Sequence, residues 1–255
     1  MATAAGVGDS ETSHDRPKVF LSYSRKDLAT AERLRDRLIA AGFEAYLDKH
    51  DILPGEPWQE RLARLIETAD TVAFLLSPDS VASPVVDWEV NEAERLAKRI
   101  LPVVIRDADP EKVPGRLKRL NYVFIRNAFE EATGLAQLGT WLLTDIGWIR
   151  EHTRLGVLAA DWERGERSDA LLLRGPPLAA AERWVSERPR EAPEPTQLQR
   201  SFILAGRIGE QARIAREQAQ IARTRRAQRR TAVVLALMLA GVVGGVGACT
   251  SSGGA

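Results

Sequence analysis

The chain has 255 residues, 44% of them apolar and 28% charged, with a formal net charge of +1. That leaves room for one or two domains with ordinary hydrophobic cores. The single cysteine, Cys249, excludes an internal disulfide, and its scatter from His14, His50 and His152 leaves no metal-ligand spacing.

In chain order, Met1 to Ser13 is small and polar, with no apolar run to serve as a signal peptide. Residues 1–16 are expected to be a disordered leader. From there to about residue 125, short apolar runs alternate with helical patterns, which predicts an α/β fold with a parallel sheet. The candidate strands are 19–22, 44–47, 71–76, 100–105 and 122–125. The run Thr71-Val-Ala-Phe-Leu-Leu76 is continuously apolar, as a strand covered on both faces should be. A first helix over 27–41 carries Leu28, Ala31, Leu34, Leu38 and Ala41 on one face. Ser24-x-x-Asp27 reads as a capping-box-like start and Gly42 as the stop. Another helix is expected near Pro84, with Ser83 as its N-cap.

Residues 128–187 read as helical, with an interruption at 171–177. Trp141, Trp148, Trp162 and Trp184 are expected to anchor a small core there. The stretch 188–196 holds Pro189, Pro193 and Pro195 and reads as a semi-rigid linker. Residues 197–230 lack proline and favour a helix of roughly 50 Å at about 1.5 Å per residue. Its apolar positions drift through a loose heptad, which fits a weak coiled coil or a solvated stalk. Between residues 200 and 230, nine arginines face only Glu210 and Glu217.

Thr231 to Cys249 carries no charge and, as a helix, would span about 28 Å, close to a bilayer's hydrocarbon core. Arg225, Arg226, Arg229 and Arg230 directly precede it, which places the N-terminal portion in the cytoplasm. The expectation is one transmembrane helix over 231–249, with anionic lipid rather than nucleic acid as the partner of the basic stalk. Small residues recur every fourth position from Ala232 to Ala248, a spacing that lets two membrane helices approach.

Five blocks fall in a particular order: Val19-Phe-Leu-Ser-Tyr-Ser-Arg-Lys-Asp27, Gly42 to Asp48, Leu53 to Trp58, Ser77-Pro-Asp-Ser80 and Ser83 to Glu89. Their order and spacing resemble the TIR (Toll/interleukin-1 receptor) domain in its bacterial form, over residues 17–145. The resemblance implies a flavodoxin-like α/β domain with a five-stranded parallel sheet. Around it the chain is expected to add a helical module at 146–187, the 188–196 linker, the basic helix at 197–230 and the membrane helix in a bacterial inner membrane.

The resemblance also implies one of two functions: cleavage of NAD+ or a non-catalytic signalling scaffold, in either case assembling with other TIR domains. In TIR enzymes the acid follows the Ser-rich loop after the third strand, and here Glu89 matches it. The family's frequent tryptophan four residues earlier is Val85 in this chain, and Trp88 directly precedes the acid instead. Cleavage of NAD+ passes through an oxocarbenium-like transition state, as glycoside hydrolysis does. The leaving pyridinium departs neutral and needs no proton, so one carboxylate suffices, without a metal or permanently bound cofactor. Glu92 at i+3 is a weaker candidate, and Asp87 points elsewhere. Ser22, Tyr23 and Arg25, at the end of the first strand, match where the family contacts the dinucleotide. Residues 48–58 match its mobile interdomain loop. Asp48 and Trp58 are its candidate ligand contacts, and Pro54-Gly55 its turn.

Overall fold

The structure, a computed structural model, describes residues 16–48 and 58–248, with side chains through Val233. His14, His50, the Pro54-Gly55 turn and Cys249 lie outside the described residues. Five strands, β1 (Lys18–Ser22), β2 (Glu44–Tyr46), β3 (Thr71–Leu76), β4 (Arg99–Val104) and β5 (Val123–Phe124), form one parallel sheet in the order β2-β1-β3-β4-β5. Helices α1 (Leu28–Ala40), α2 (Trp58–Thr68), α3 (Pro84–Arg95) and α4 (Ala128–Leu143) connect and cover them.

The two-residue period of the strands divides the core in two. Val19 and Leu21 of β1 and Ala73 and Leu75 of β3 pack with Leu34 and Leu38 of α1 and Leu138 and Leu142 of α4. Phe20 of β1 and Val72, Phe74 and Leu76 of β3 point the other way, toward Leu62 and Ile66 of α2 and Val86 and Val90 of α3. Both faces are covered, so β3 is buried at all six positions and is apolar from Val72 to Leu76, while the Thr71 hydroxyl accepts from Arg99 Nε at 2.9 Å. Ser22 has the parity of Phe20 and therefore faces the α2/α3 layer. The strand order reverses direction at β1, leaving a crevice at the carboxyl ends of β1 and β3, where ligands bind in open α/β sheets.

The helix ends follow local chemistry. Gly42 takes φ +93°, and its N–H donates to Ile39 O while that of Phe43 donates to Leu38 O. This pair of bonds closes α1 and needs the left-handed conformation that glycine adopts without strain. The Ser83 hydroxyl accepts from Val86 N at 3.4 Å, with Pro84 in the first turn of α3. The expected capping box at Ser24 is absent. A 3-10 turn over Arg25–Asp27 precedes α1, and Ser24 makes no side-chain cap. The Asp27 carboxylate is drawn into a different set of bonds.

Gly134, in α4, faces β5. A Cβ there would lie 2.4 Å from the Phe124 carbonyl oxygen and 2.6 Å from Ile125 Cγ1. Gly134→Ala gains about 1 kcal/mol of helix propensity, but the clash with backbone costs about 1–3 kcal/mol. We expect the clash to win and the urea midpoint of the full chain to fall.

Beyond α4, the helices α5 (Ile146–Arg164) and α6 (Gly175–Ser186) meet through Trp148 and Trp184, stacked at 4.6 Å. Each indole N–H donates to the other residue's carbonyl, at 3.2 and 3.1 Å. Trp162 is also buried, but Trp141 faces solvent from α4. This helical pair is joined to the sheet domain at the end of α2. There the buried Lys98 ammonium donates to Glu67 O at 2.7 Å and Ala69 O at 2.9 Å, and the Thr153 hydroxyl of α5 donates to Ala69 O. Burial lowers Lys98 to about 8, a cost offset by these carbonyls at a helix C-terminus. His152, held neutral by burial, drops to about 4.

The stretch 188–196, expected as a linker, lies inside this compact unit. Ala192 is buried, the Arg188 guanidinium donates to Ala192 O, and Gln199 donates to His152 O at 2.7 Å. Its prolines restrict the unfolded chain, so packing it costs less entropy than an ordinary segment would. The chain divides into two units between Ile203 and Leu204, within the long helix α7 (Gln197–Ala248). In the second unit every described residue from Arg213 to Val233 is exposed, and Arg213 bridges Glu210 and Glu217. Among the described residues no helix is long and apolar enough to cross a membrane. The side chains of 234–249, most of the segment expected to span one, lie outside the described residues.

Candidate functional site

A cleft of about 290 Å³ opens at the carboxyl ends of β1 and β2, walled by α2 and α3. Phe20, Tyr23, Arg25, Lys26, Asp48, Leu62, Val85 and Glu89 line it. The sheet end supplies Tyr23 and Arg25, the residues after β2 supply Asp48, and the second turn of α3 supplies Glu89. Four of the six candidate residues thus converge on one cleft.

Glu89 is the unusual group. It sits at 4% exposure among Val86, Val90 and other apolar residues of the α2/α3 layer. Its Oε2 accepts a 2.5 Å hydrogen bond from Ser22 Oγ, 67 residues away in sequence and itself 1% exposed. Burial pushes the Glu89 carboxyl up to about 8. The Ser22 hydroxyl opposes that shift, and the charge of Asp48 adds to it. A carboxyl raised this far, at the wall of a cleft, marks a functional-site candidate.

The other predicted residues take distinct places. Ser22 meets Glu89. Tyr23 donates its hydroxyl to the Asp48 carbonyl at 3.0 Å, and its own ionisation is pushed up by burial, with Asp48 adding to the effect. Asp48 accepts from Arg61 of α2 at 2.9 Å, which ties the end of β2 to the helix beyond residues 49–57. Arg25 lies exposed along the cleft.

Trp58 does not line the cleft. Its ring meets Trp88 edge to face at 5.3 Å and packs on the α2/α3 core. Trp88, in the middle of α3, is the aromatic that holds Trp58 there. The weaker candidate Glu92 pairs with Arg95, and Asp87 is exposed.

A polar network beside the cleft escaped the sequence reading. The Asp27 carboxylate, only 5% exposed, accepts from Ser77 Oγ at 2.5 Å and from two nitrogens of Arg106 at 2.9 and 2.5 Å. Arg106 also reaches Asp79 at 2.6 Å, and Lys26 reaches the same carboxylate at 2.7 Å. Ser77 follows β3 and Arg106 lies two residues past β4, so the network ties together three strand ends. The available signal was position: polar residues directly after strands gather at the carboxyl edge of a parallel sheet.

No curated protein matches the chain. Among solved structures it is similar to the TIR domain of the Toll-related receptor TRR-2 from Hydra magnipapillata, at 21% identity and a TM-score of 0.42, over 49% of this chain and 96% of that one. It is similar to the TIR domains of the activated Roq1 resistosome that recognises the pathogen effector XopQ, at 15% identity and a TM-score of 0.40, over 49% and 98%. A TIR-STING receptor from C. gigas matches at 24% identity and a TM-score of 0.36, over 46% of this chain and 40% of that one. The bacterial form expected from the sequence finds no support among these. A family model described as a TIR domain matches residues 19–138, the segment that holds all five strands, the cleft and Glu89, and this chain therefore carries a TIR domain.

Proposed function

We propose that this protein is a membrane-anchored TIR effector that hydrolyses NAD+ to nicotinamide and ADP-ribose, or to a cyclic form of it, when its TIR domains cluster. The observation that carries this reading is the buried Glu89 carboxyl at the wall of a cleft, held by Ser22. In the reaction the bond between ribose C1′ and the pyridinium nitrogen breaks. Its electron pair goes to the ring, and nicotinamide leaves neutral. The positive charge passes to the ribosyl oxocarbenium ion, which the Glu89 carboxylate stabilises. Water then adds at C1′ and releases a proton. Arg25 and Lys26 along the cleft suit the pyrophosphate.

Release of nicotinamide from NAD+ by the full-length protein, held at high density on lipid vesicles, tests this reading beside Glu89→Gln. Release by wild type and none by the variant supports it. Equal release by both assigns the chemistry to another carboxylate. No release by either, with clustering measured independently, leaves the scaffold function, in which substitutions at Pro54 and Gly55 disrupt assembly and Glu89→Gln does not.

The uncharged run from Thr231 to Cys249, behind its arginines, supports the anchor and a cytoplasmic TIR domain at the inner membrane. The full chain is expected to stay with membranes through alkaline extraction, and a chain ending at Arg230 to be released. Retention of both would place the anchor elsewhere.

A further inference from the structure

We infer that Ser22 is a positioning residue for the Glu89 carboxylate and not a contact to the dinucleotide. The inference rests on the hydrolase reading above and assigns Ser22 a role within it. Ser22 is 1% exposed. It ends β1 with the parity of Phe20, so its hydroxyl points into the α2/α3 layer and meets Glu89 Oε2 at 2.5 Å. The hydroxyl that could have faced a ligand is thus committed to the acid.

The groups around Glu89 give this bond its importance. Asp48, from the end of β2, disfavours the carboxylate. Arg61 of α2 is turned to Asp48 at 2.9 Å. Lys26, after β1, pairs with Asp79 at 2.7 Å, and Arg25 lies exposed at the cleft. Tyr23 gives its hydroxyl to the backbone of residue 48. On α3 itself, Glu92 is paired with Arg95, and Asp87 is exposed. Burial works against the charged form, and the Ser22 hydroxyl is the hydrogen bond that favours it. Without that bond the carboxyl both loses its orientation and ionises later.

The test compares wild type, Ser22→Ala, Ser22→Cys and Ser22→Thr as full-length proteins on vesicles, with nicotinamide release followed from neutral to alkaline pH. Cysteine keeps the side chain but offers only a weak donor. For alanine and cysteine the rise of kcat/KM is expected to move to higher pH by about one unit, with kcat down about tenfold and KM unchanged. Threonine is expected to restore the wild-type profile. A several-fold rise in KM with the profile in place would overturn the inference and make Ser22 a substrate contact.

A second readout does not need turnover. In detergent-solubilised protein with carbon-13 at glutamate Cδ, the resonance missing from Glu89→Gln identifies Glu89. Its titration midpoint is expected to move up in Ser22→Ala and Ser22→Cys. An unmoved midpoint would sink the inference. Absence of nicotinamide release by wild type at every pH would instead count against the hydrolase, while the titration still decides whether Ser22 tunes Glu89.

Discussion

Glu89→Gln is expected to lower nicotinamide release by about 10²–10³-fold or more, the range for removing one preorganised electrostatic group, while the protein stays folded. The amide is nearly isosteric with the acid and can still accept from Ser22 Oγ, so packing is kept and only the negative charge is lost. On the hydrolase reading, the wild-type protein should carry a pH signature. Burial holds the Glu89 carboxyl near 8, so the free protein at neutral pH is largely protonated there and kcat/KM should rise toward alkaline pH. A cationic nicotinamide ring entering beside it favours the carboxylate, so kcat should rise at lower pH than kcat/KM does.

The same substitution should affect stability in the opposite direction. Glu89 ionises at about 8 in the folded chain against 4.5 as its ordinary value. Its contribution to stability is therefore fully present below about pH 4.5 and is lost as pH rises through 8. Glu89→Gln removes that penalty and is expected to stabilise the fold by a few kcal/mol at pH 8 and by nothing below 4.5. Denaturant melts of both proteins at the two pH values check this. A loss of stability at pH 8 would mean the carboxylate is solvated in the folded state.

The second large effect is expected at Asp27. Asp27→Ala leaves the buried Ser77 hydroxyl without its acceptor and deprives Arg106 of two of its hydrogen bonds. The loss should cost about 3 kcal/mol, since breaking a buried charged pair by removing one partner leaves desolvated polar groups behind. Arg106 is partly solvated and retains Asp79, which places the estimate at the low end of that range. Denaturant unfolding at pH 7 measures it. A loss below about 1 kcal/mol would be the value of a surface pair and would show that water replaces the carboxylate. The double variant with Arg106→Met separates the ion pair from the Ser77 bond.

Much of the sheet was legible in the linear chain. Thr71–Leu76 was readable to the residue because a strand covered on both faces reads as a near-continuous apolar run, here Val72 to Leu76. The stop at Gly42 and the start at Ser83-Pro84 were readable because helix ends are written in one or two residues. Glu89 stood out through its place among the motif blocks. The strand and the helix ends share a local cause: backbone geometry and alternating burial impose their residue choices within a few positions of themselves.

The chemistry around Glu89 was decided elsewhere. Ser22 reaches it because β1 lies beside β3 and has the parity that faces α3, a relation between residues 67 apart. Asp27 read as a helix start and became a buried anion because β3 and β4 deliver Ser77 and Arg106 to it. Trp58, which as the first residue of a helix could have been ligand contact or core, is core because α2 and α3 pack side by side. By itself the sequence determined where strands and helices stand along the chain, since those depend on local periodicity and caps. Only the tertiary structure decided which polar groups meet and which are cut off from water, because burial and partnership are set by the register of distant segments.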